Sequence, residues 1–167
     1  MSSPEPDEEA AAVGPLRTPS VSSVNGPELC VGAVVVREGS ILLIRRGNPP
    51  GEGRWSVPGG RVHRGERLVD AVRRELREET GLDGHVGDAM GWTELIGRRR
   101  HYVVVDYWVT VTPDGPPRAG SDATDAAWVG LDDVDRWDLV DGLRQFLADH
   151  HVIEKVAEQA VEQATET

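Results

Sequence analysis

Cysteine is all but missing from this chain: Cys30 is the only one in 167 residues. A lone cysteine excludes an intrachain disulfide, so the core must hold the fold, and it fits a reducing compartment. Phenylalanine is equally scarce, with one residue, and there are two Tyr and two Met, against five Trp. Long apolar runs are also lacking, and none approaches the roughly 20 residues that a bilayer-spanning helix needs. The N-terminus is acidic and rich in Pro and Ser, without a basic stretch leading into an apolar one. No secretory signal is therefore expected, and a cytoplasmic location is. An excess of positive charge is absent too, the formal net charge being −11. Much of that sits at the ends. Residues 1–26 set Glu5, Asp7, Glu8 and Glu9 against Arg17, and residues 149–167 set Asp149, Glu154, Glu158, Glu162 and Glu166 against Lys155. The middle is mixed in sign, so the global charge decides little about a local site.

What is present suffices for one domain with a full core. Residues 1–27 are poor in large apolar side chains and are read as a disordered tail; 28–153 form the domain; 154–167, rich in Ala, Glu and Gln, extend a last helix or fray. Leu29 to Val36 and Ile41 to Ile44 are apolar runs separated by Arg37-Glu38-Gly39-Ser40, which predicts a hairpin covered on both faces. Gly47 to Gly53 is a loop, followed by a short strand over Arg54 to Val57. Residues 83–97 read as an irregular strand and His101 to Val111 as a long one. In the latter, Val103, Val105, Tyr107, Val109 and Val111 form an apolar face, and Tyr102, Val104, Asp106, Trp108 and Thr110 a mixed face meeting cleft or solvent. Pro113 to Gly120 is a loop and Ala126 to Leu131 a last strand. From about Leu139 a helix carries Leu143, Phe146, Leu147 and Ile153. Strands on either side of a central helix, with another helix at the end, predict an α/β sandwich with a mixed sheet.

The central helix follows Val57-Pro58-Gly59-Gly60 and closes at Thr80-Gly81, glycine suiting the left-handed position past a helix end. Wound at about 100° per residue from Leu68, it places Ala71, Val72 and Leu76 at roughly 300°, 40° and 80°, one apolar arc. Glu75 and Glu79 fall inside that arc, at roughly 340° and 20°, with Glu78 on its flank at about 280°. Carboxylates on a core-facing stripe carry a desolvation cost unless something cationic holds them. Glu75, Glu78 and Glu79, at i, i+3 and i+4, share one side of the helix and can converge on a divalent cation. Mg²⁺ is a hard, oxygen-seeking ion of the kind that such a set takes. The plain alternative is a solvated helix face laced with Glu–Arg pairs.

Gly60, Glu66, Arg74, Glu75, Leu76, Glu78, Glu79, Gly81 and Leu82 match without departure the signature of the Nudix hydrolases, so residues 28–150 resemble that family. The flanking apolar hairpin and Trp55-x-x-Pro58-Gly59-Gly60 are similar to it as well. The resemblance implies the Nudix α/β/α sandwich and hydrolysis of a nucleoside diphosphate linked to another group, dependent on Mg²⁺ or Mn²⁺. It implies Glu75 and Glu79 as main metal ligands, Glu78 assisting, and the Gly59 carbonyl completing the site. Glu66 would be a nearby ligand or a partner behind the ligands, and Arg74 would orient a catalytic glutamate. The general base would be a box glutamate or an acid from a later loop, Asp122 or Asp125, with Glu94 a further candidate. Glycine at 59 and 60 would let the backbone approach the ion.

Arg45 and Arg46, ending a strand beside the box, are candidates for phosphate binding, or one is simply solvated. Trp92 is the stacking candidate for a base, whereas Trp55 and Trp128 read as core. The five His lack ligand spacing with one another. The general look is to ADP-ribose pyrophosphatase-like members, although one ADP-ribose subgroup has a proline past the box about where this chain has Gly97. The alternatives are a nucleoside triphosphate pyrophosphohydrolase acting on oxidised nucleotides, and a nucleotide-sensing module without turnover. The expected partner is a small nucleotide, with no nucleic-acid polymer and no membrane; homodimers are common in the family.

Overall fold

A computed structural model of the chain describes residues 26–112 and 115–153. The tails expected over 1–27 (but for its last two residues) and 154–167 lie outside them, as do the first two residues of the loop starting at Pro113. Eight strands follow in order: β1 (Glu28–Val34), β2 (Val36–Arg37), β3 (Ser40–Arg46), β4 (Trp55–Ser56), β5 (Gly59–Arg61), β6 (Gly84–Ile96), β7 (His101–Val111) and β8 (Ala123–Gly130). Helix α1 (Leu68–Thr80) stands between β5 and β6; a 3₁₀ turn (Leu131–Arg136) and helix α2 (Leu143–Asp149) follow β8.

The strands make two sheets. One has the order β5-β1-β7-β6, with β1 parallel to β7 and its outer pairs antiparallel, so it is mixed as expected. The other is antiparallel and centres on β3, paired with β8 along its length and with β2 and β4 at its two ends. The hairpin expected from Leu29 to Ile44 is thereby corrected. Only Val36 and Arg37 pair with Ile41 and Ser40, and the chain changes sheets at Val35. Its turn places Glu38 and Gly39 at φ 51° and 71°, the positive pair that a tight two-residue hairpin turn requires. The strand after the loop also shortens, to Trp55–Ser56.

Two apolar clusters fill the layers. Val31, Ala33 and Val35 meet Ala71, Val72 and Leu76 of α1, with Val86, Val109 and Val111 completing that side. Val34 on the opposite face of β1 joins Ile41, Leu43, Val129, Val134 and the α2 residues Leu143 and Leu147. The alternation of β1 therefore serves both clusters. Helix α2 ends at Asp149, short of Ile153, because His151 adopts φ 58°. The His151 N–H bonds to the Ala148 carbonyl at 3.1 Å and the Val152 N–H to the Leu147 carbonyl at 2.8 Å, closing the helix with a histidine where glycine is usual.

Helix α1 matches its expected span. Its last carbonyls are satisfied from outside: Arg118 N–H bonds to Thr80 at 2.9 Å and Gly120 N–H to Glu79 at 3.2 Å. The loop before β8 is thus fastened to the end that bears the box acids. A Cβ at Gly120 would collide with the Glu78 carbonyl, which is backbone and cannot turn away. Gly120→Ala is expected to cost about 1–3 kcal/mol of stability by forcing the loop off the helix, read as a lower Tm in thermal unfolding. An unchanged Tm would mean that the docking is not rigid.

Candidate active site

Burial on α1 falls on Ala71, Val72, Glu75, Leu76, Glu79 and Thr80. Glu75 is 8% exposed and Glu79 4%, while Glu78 stands out on the flank. The wheel therefore places all three acids correctly. What holds the buried pair is a set of neighbours drawn from four segments.

Arg74 is the hub. Its Nε and Nη2 donate to the two oxygens of Glu66 at 2.7 and 2.9 Å, a bidentate fork. Its Nη1 donates to Glu75 Oε1 at 2.7 Å and to Glu78 Oε2 at 3.3 Å, and Nη2 also reaches the Arg61 carbonyl at 2.9 Å. Glu66 takes a further hydrogen bond from the His63 N–H at 2.9 Å. The Arg74 hydrogen bonds hold the Glu66 carboxyl down to about 2, and Glu66 in turn, ahead of Glu75, raises the Arg74 guanidinium. Glu66 acts behind the other acids, as the orienting partner of Arg74.

Glu79 is placed by β5. The Gly59 N–H donates to its Oε2 at 2.8 Å, its one hydrogen bond among the described residues. Burial pushes Glu79 up to about 8, with Glu75 and Asp122 adding repulsion and Arg46 opposing. Glu75 is raised as well, burial outweighing Arg74. The glycines of β5 have a use that the sequence did not disclose. A Cβ at Gly60 would fall on the Glu75 carboxylate, and one at Gly59 on the Val31 carbonyl of β1. Gly60 makes room for Glu75, and Gly59 offers an N–H to Glu79.

The remaining candidates separate. Asp122 is brought in: its carbonyl accepts the Gly47 N–H at 2.9 Å, its Oδ1 accepts from Asn48 at 3.1 Å, and its charge is felt at Glu75 and Glu79. Arg46 is felt at Glu79 too, with its Nε on the Pro50 carbonyl at 2.7 Å. Arg45, one residue earlier on β3, places its Nε on the Gly53 carbonyl at 2.8 Å and is not among the charges chiefly felt at Glu75 or Glu79. Asp125 lies across from Arg45, and its Oδ1 accepts the adjoining Ala126 N–H. Glu94 is exposed on β6 opposite Val103. Trp92, 72% exposed, pairs with Val105 on the sheet face that bears α1. Sequence reading passed over Asp106, a carboxylate 5% exposed in the centre of β7; an acid amid Val, Tyr and Trp was the available signal.

The donor set suits a hard divalent cation in kind: buried carboxylate oxygens, one of them with a single hydrogen bond. Among the described residues, no three carboxylate, imidazole or thiol groups are gathered closely enough to hold an ion as they stand. The reason is visible, since Arg74 draws Glu75 and Glu78 to itself while Glu79 turns to Gly59. Glu75, Glu78 and Glu79 would hold the ion by exchanging some of those contacts. Two surface hollows, of about 440 and 320 Å³, lie elsewhere, around Arg37 and Trp128 and around Arg54 and Trp137. No helix among the described residues is long and apolar enough to cross a membrane.

Sandwich and acidic helix edge define a class of protein, and comparison with known proteins gives it a family. The NUDIX domain profile matches residues 26–150. An ADP-ribose pyrophosphatase of Methanocaldococcus jannaschii is 34% identical over 110 residues, 65% of this chain and 64% of that protein. A Mycobacterium tuberculosis protein with the provisional name 8-oxo-dGTP diphosphatase 2 is 34% identical over 133 residues, 73% of this chain and 86% of that one. The crystal structure of a MutT NUDIX hydrolase from Burkholderia pseudomallei superposes with a TM-score of 0.66 at 31% identity, over 73% of this chain and 96% of that one. The chain belongs to the Nudix family. It spans 64% of the Methanocaldococcus relative's length.

Because its folded value is raised, Glu79 contributes stability below about pH 4.5 that is lost as pH rises toward about 8. A cation at this site must displace that proton. The Tm gain given by millimolar Mg²⁺ is therefore expected to grow from pH 6 to pH 8.5 and then level off. A gain that is flat across this range would contradict a cation seated on Glu79.

Proposed function

We propose that this chain hydrolyses the diphosphate linkage of a small nucleotide derivative, ADP-ribose-like molecules being the first substrate class, with Mg²⁺ or Mn²⁺ held by Glu75, Glu78 and Glu79. The observation that carries the reading is the buried Glu75–Glu79 pair within a complete Nudix signature. Two acids kept in the core stripe cost stability that a purely structural helix would avoid.

A divalent cation there supplies the positive charge that lets an anionic diphosphate approach and be attacked by water. The chain's own residues do the rest. Arg74 fixes the Glu75 carboxylate, and Glu66 fixes Arg74. Arg46, whose charge reaches Glu79, suits the outer phosphate. Asp122, fastened through Gly47 and Asn48, is favoured over Asp125 and Glu94 to take the proton of the attacking water, with Glu78 the box alternative. The products are a nucleoside monophosphate and the phosphorylated remainder.

A second reading, a nucleoside triphosphate pyrophosphohydrolase acting on oxidised nucleotides, is supported by the mycobacterial relative, 86% of whose length is matched. A panel of ADP-ribose, dinucleotide polyphosphates, triphosphates and 8-oxo-dGTP, with product identification, separates the two. On whichever substrate turns over, Glu79→Gln is expected to lower kcat by about 10²-fold or more. Its Tm should be no lower than the parent's, since Gln can still accept from the Gly59 N–H and has no charge to desolvate. Retained turnover would remove Glu79 from the site.

A further inference from the structure

Asp106 has a setting that nothing above uses. The register runs in one row across the whole first sheet: Gly59 of β5 opposite Gly32 of β1, Gly32 beside Asp106 of β7, and Asp106 opposite Gly91 of β6. Residues in such a row share a face, here the face away from α1. Asp106 is the one side chain beyond a hydrogen atom in that row. Its Oδ1 occupies the space that a Gly32 Cβ would need, so the carboxylate leans from β7 over β1 toward β5. Gly59, at the end of the row, is the residue that donates to Glu79.

The carboxylate has no hydrogen bond or ion pair among the described residues. A carboxylate 5% exposed and unpartnered is costly, because burial raises its energy and nothing repays it. Burial alone pushes Asp106 up to about 6. Its oxygens are not fully enclosed, since the only sealed and unpartnered polar side-chain atoms among the described residues are His101 Nε2 and Trp128 Nε1. What little exposure Asp106 keeps therefore includes its carboxylate.

We propose that Asp106 is a specificity residue which accepts a hydrogen bond from the exocyclic amino group of the substrate's nucleobase. The inference rests on the nucleotide-hydrolase reading. A phosphate is repelled by a carboxylate, so the ligand group must be a donor. Val57 beside Gly32, only partly buried, flanks the position with apolar surface. A flat base can lay a face on such surface while its edge meets the oxygen. Adenine, guanine and cytosine all present an amino group on an edge, and carboxylates accept from such groups. Gly32 is required for the same reason, since any larger residue would displace the carboxylate.

The test compares bases that differ only in that group: ADP-ribose against its hypoxanthine counterpart, and GTP against ITP, with Mg²⁺ and the full chain. Wild-type protein is expected to favour the amino-bearing member of the pair it turns over by about tenfold or more in kcat/KM. Asp106→Asn has the same shape and can also donate to a carbonyl oxygen of the base, so the preference should fall to about threefold or less, mostly through KM, with Tm maintained. No preference in the wild type, or an unchanged preference in a folded Asp106→Asn variant, overturns the proposal. Should no nucleotide be hydrolysed, the hydrolase reading fails, and the same ratio measured by equilibrium binding, followed by tryptophan fluorescence, decides on Asp106 by itself.

Discussion

Two carboxylates on the core-facing stripe of one helix are the constraint around which the other parts are arranged. Glu75 and Glu79 cannot be removed from water without compensation, and each receives it from a different source. Glu75 has the guanidinium of Arg74, itself locked by Glu66; Glu79 has a single backbone N–H from Gly59. Gly60 must lack a side chain for the first arrangement to fit. The loop that carries Asp122 is tied by its own backbone to the carbonyls of Glu79 and Thr80. Arg46 and Asp122 then act on Glu79 through charge, with opposite sign.

This arrangement is tense. Burial raises both acids although Arg74 is in contact with one of them, so the compensation is incomplete. A helix selected for stability alone would carry leucine at those two places. The cost becomes intelligible when the acids serve a cation and a diphosphate, the ligands by which the Nudix family is defined. Arg74 gathers Glu66, Glu75 and Glu78 on one guanidinium and so presents Glu75 in one orientation. Farther along the Gly59–Gly32–Asp106–Gly91 row stands another buried carboxylate, Asp106, the proposed reader of the base.

Much of this was legible in the sequence, for reasons that are local. Helix α1 could be wound from its apolar spacing and ended at Gly81, whose φ of 71° is the left-handed value that glycine accommodates. Strand β7 could be bounded from its alternation at His101 and Val111. Contacts between distant segments were not legible. Nothing in Leu29 to Val36 says that β1 runs parallel to β7 while only its last residues turn into the hairpin. The early end of α2 depends on His151 adopting a conformation that its residue type does not advertise. Asp106 was seen only as part of a mixed face, because its placement over Gly32 of β1 joins segments distant in the sequence. Trp92 stood out as an aromatic in an irregular strand, yet it lies on the face opposite to Asp106.

The central claim, that Glu75 and Glu79 are kept buried to receive a divalent cation, is tested most directly by anomalous diffraction from crystals soaked in Mn²⁺. The expected result is a manganese peak bounded by Glu79 and by at least one of Glu75 and Glu78, with that second acid turned away from Arg74. Manganese bound only elsewhere, with the Arg74 contacts to Glu75 and Glu78 intact and Glu79 still on the Gly59 N–H, would contradict it.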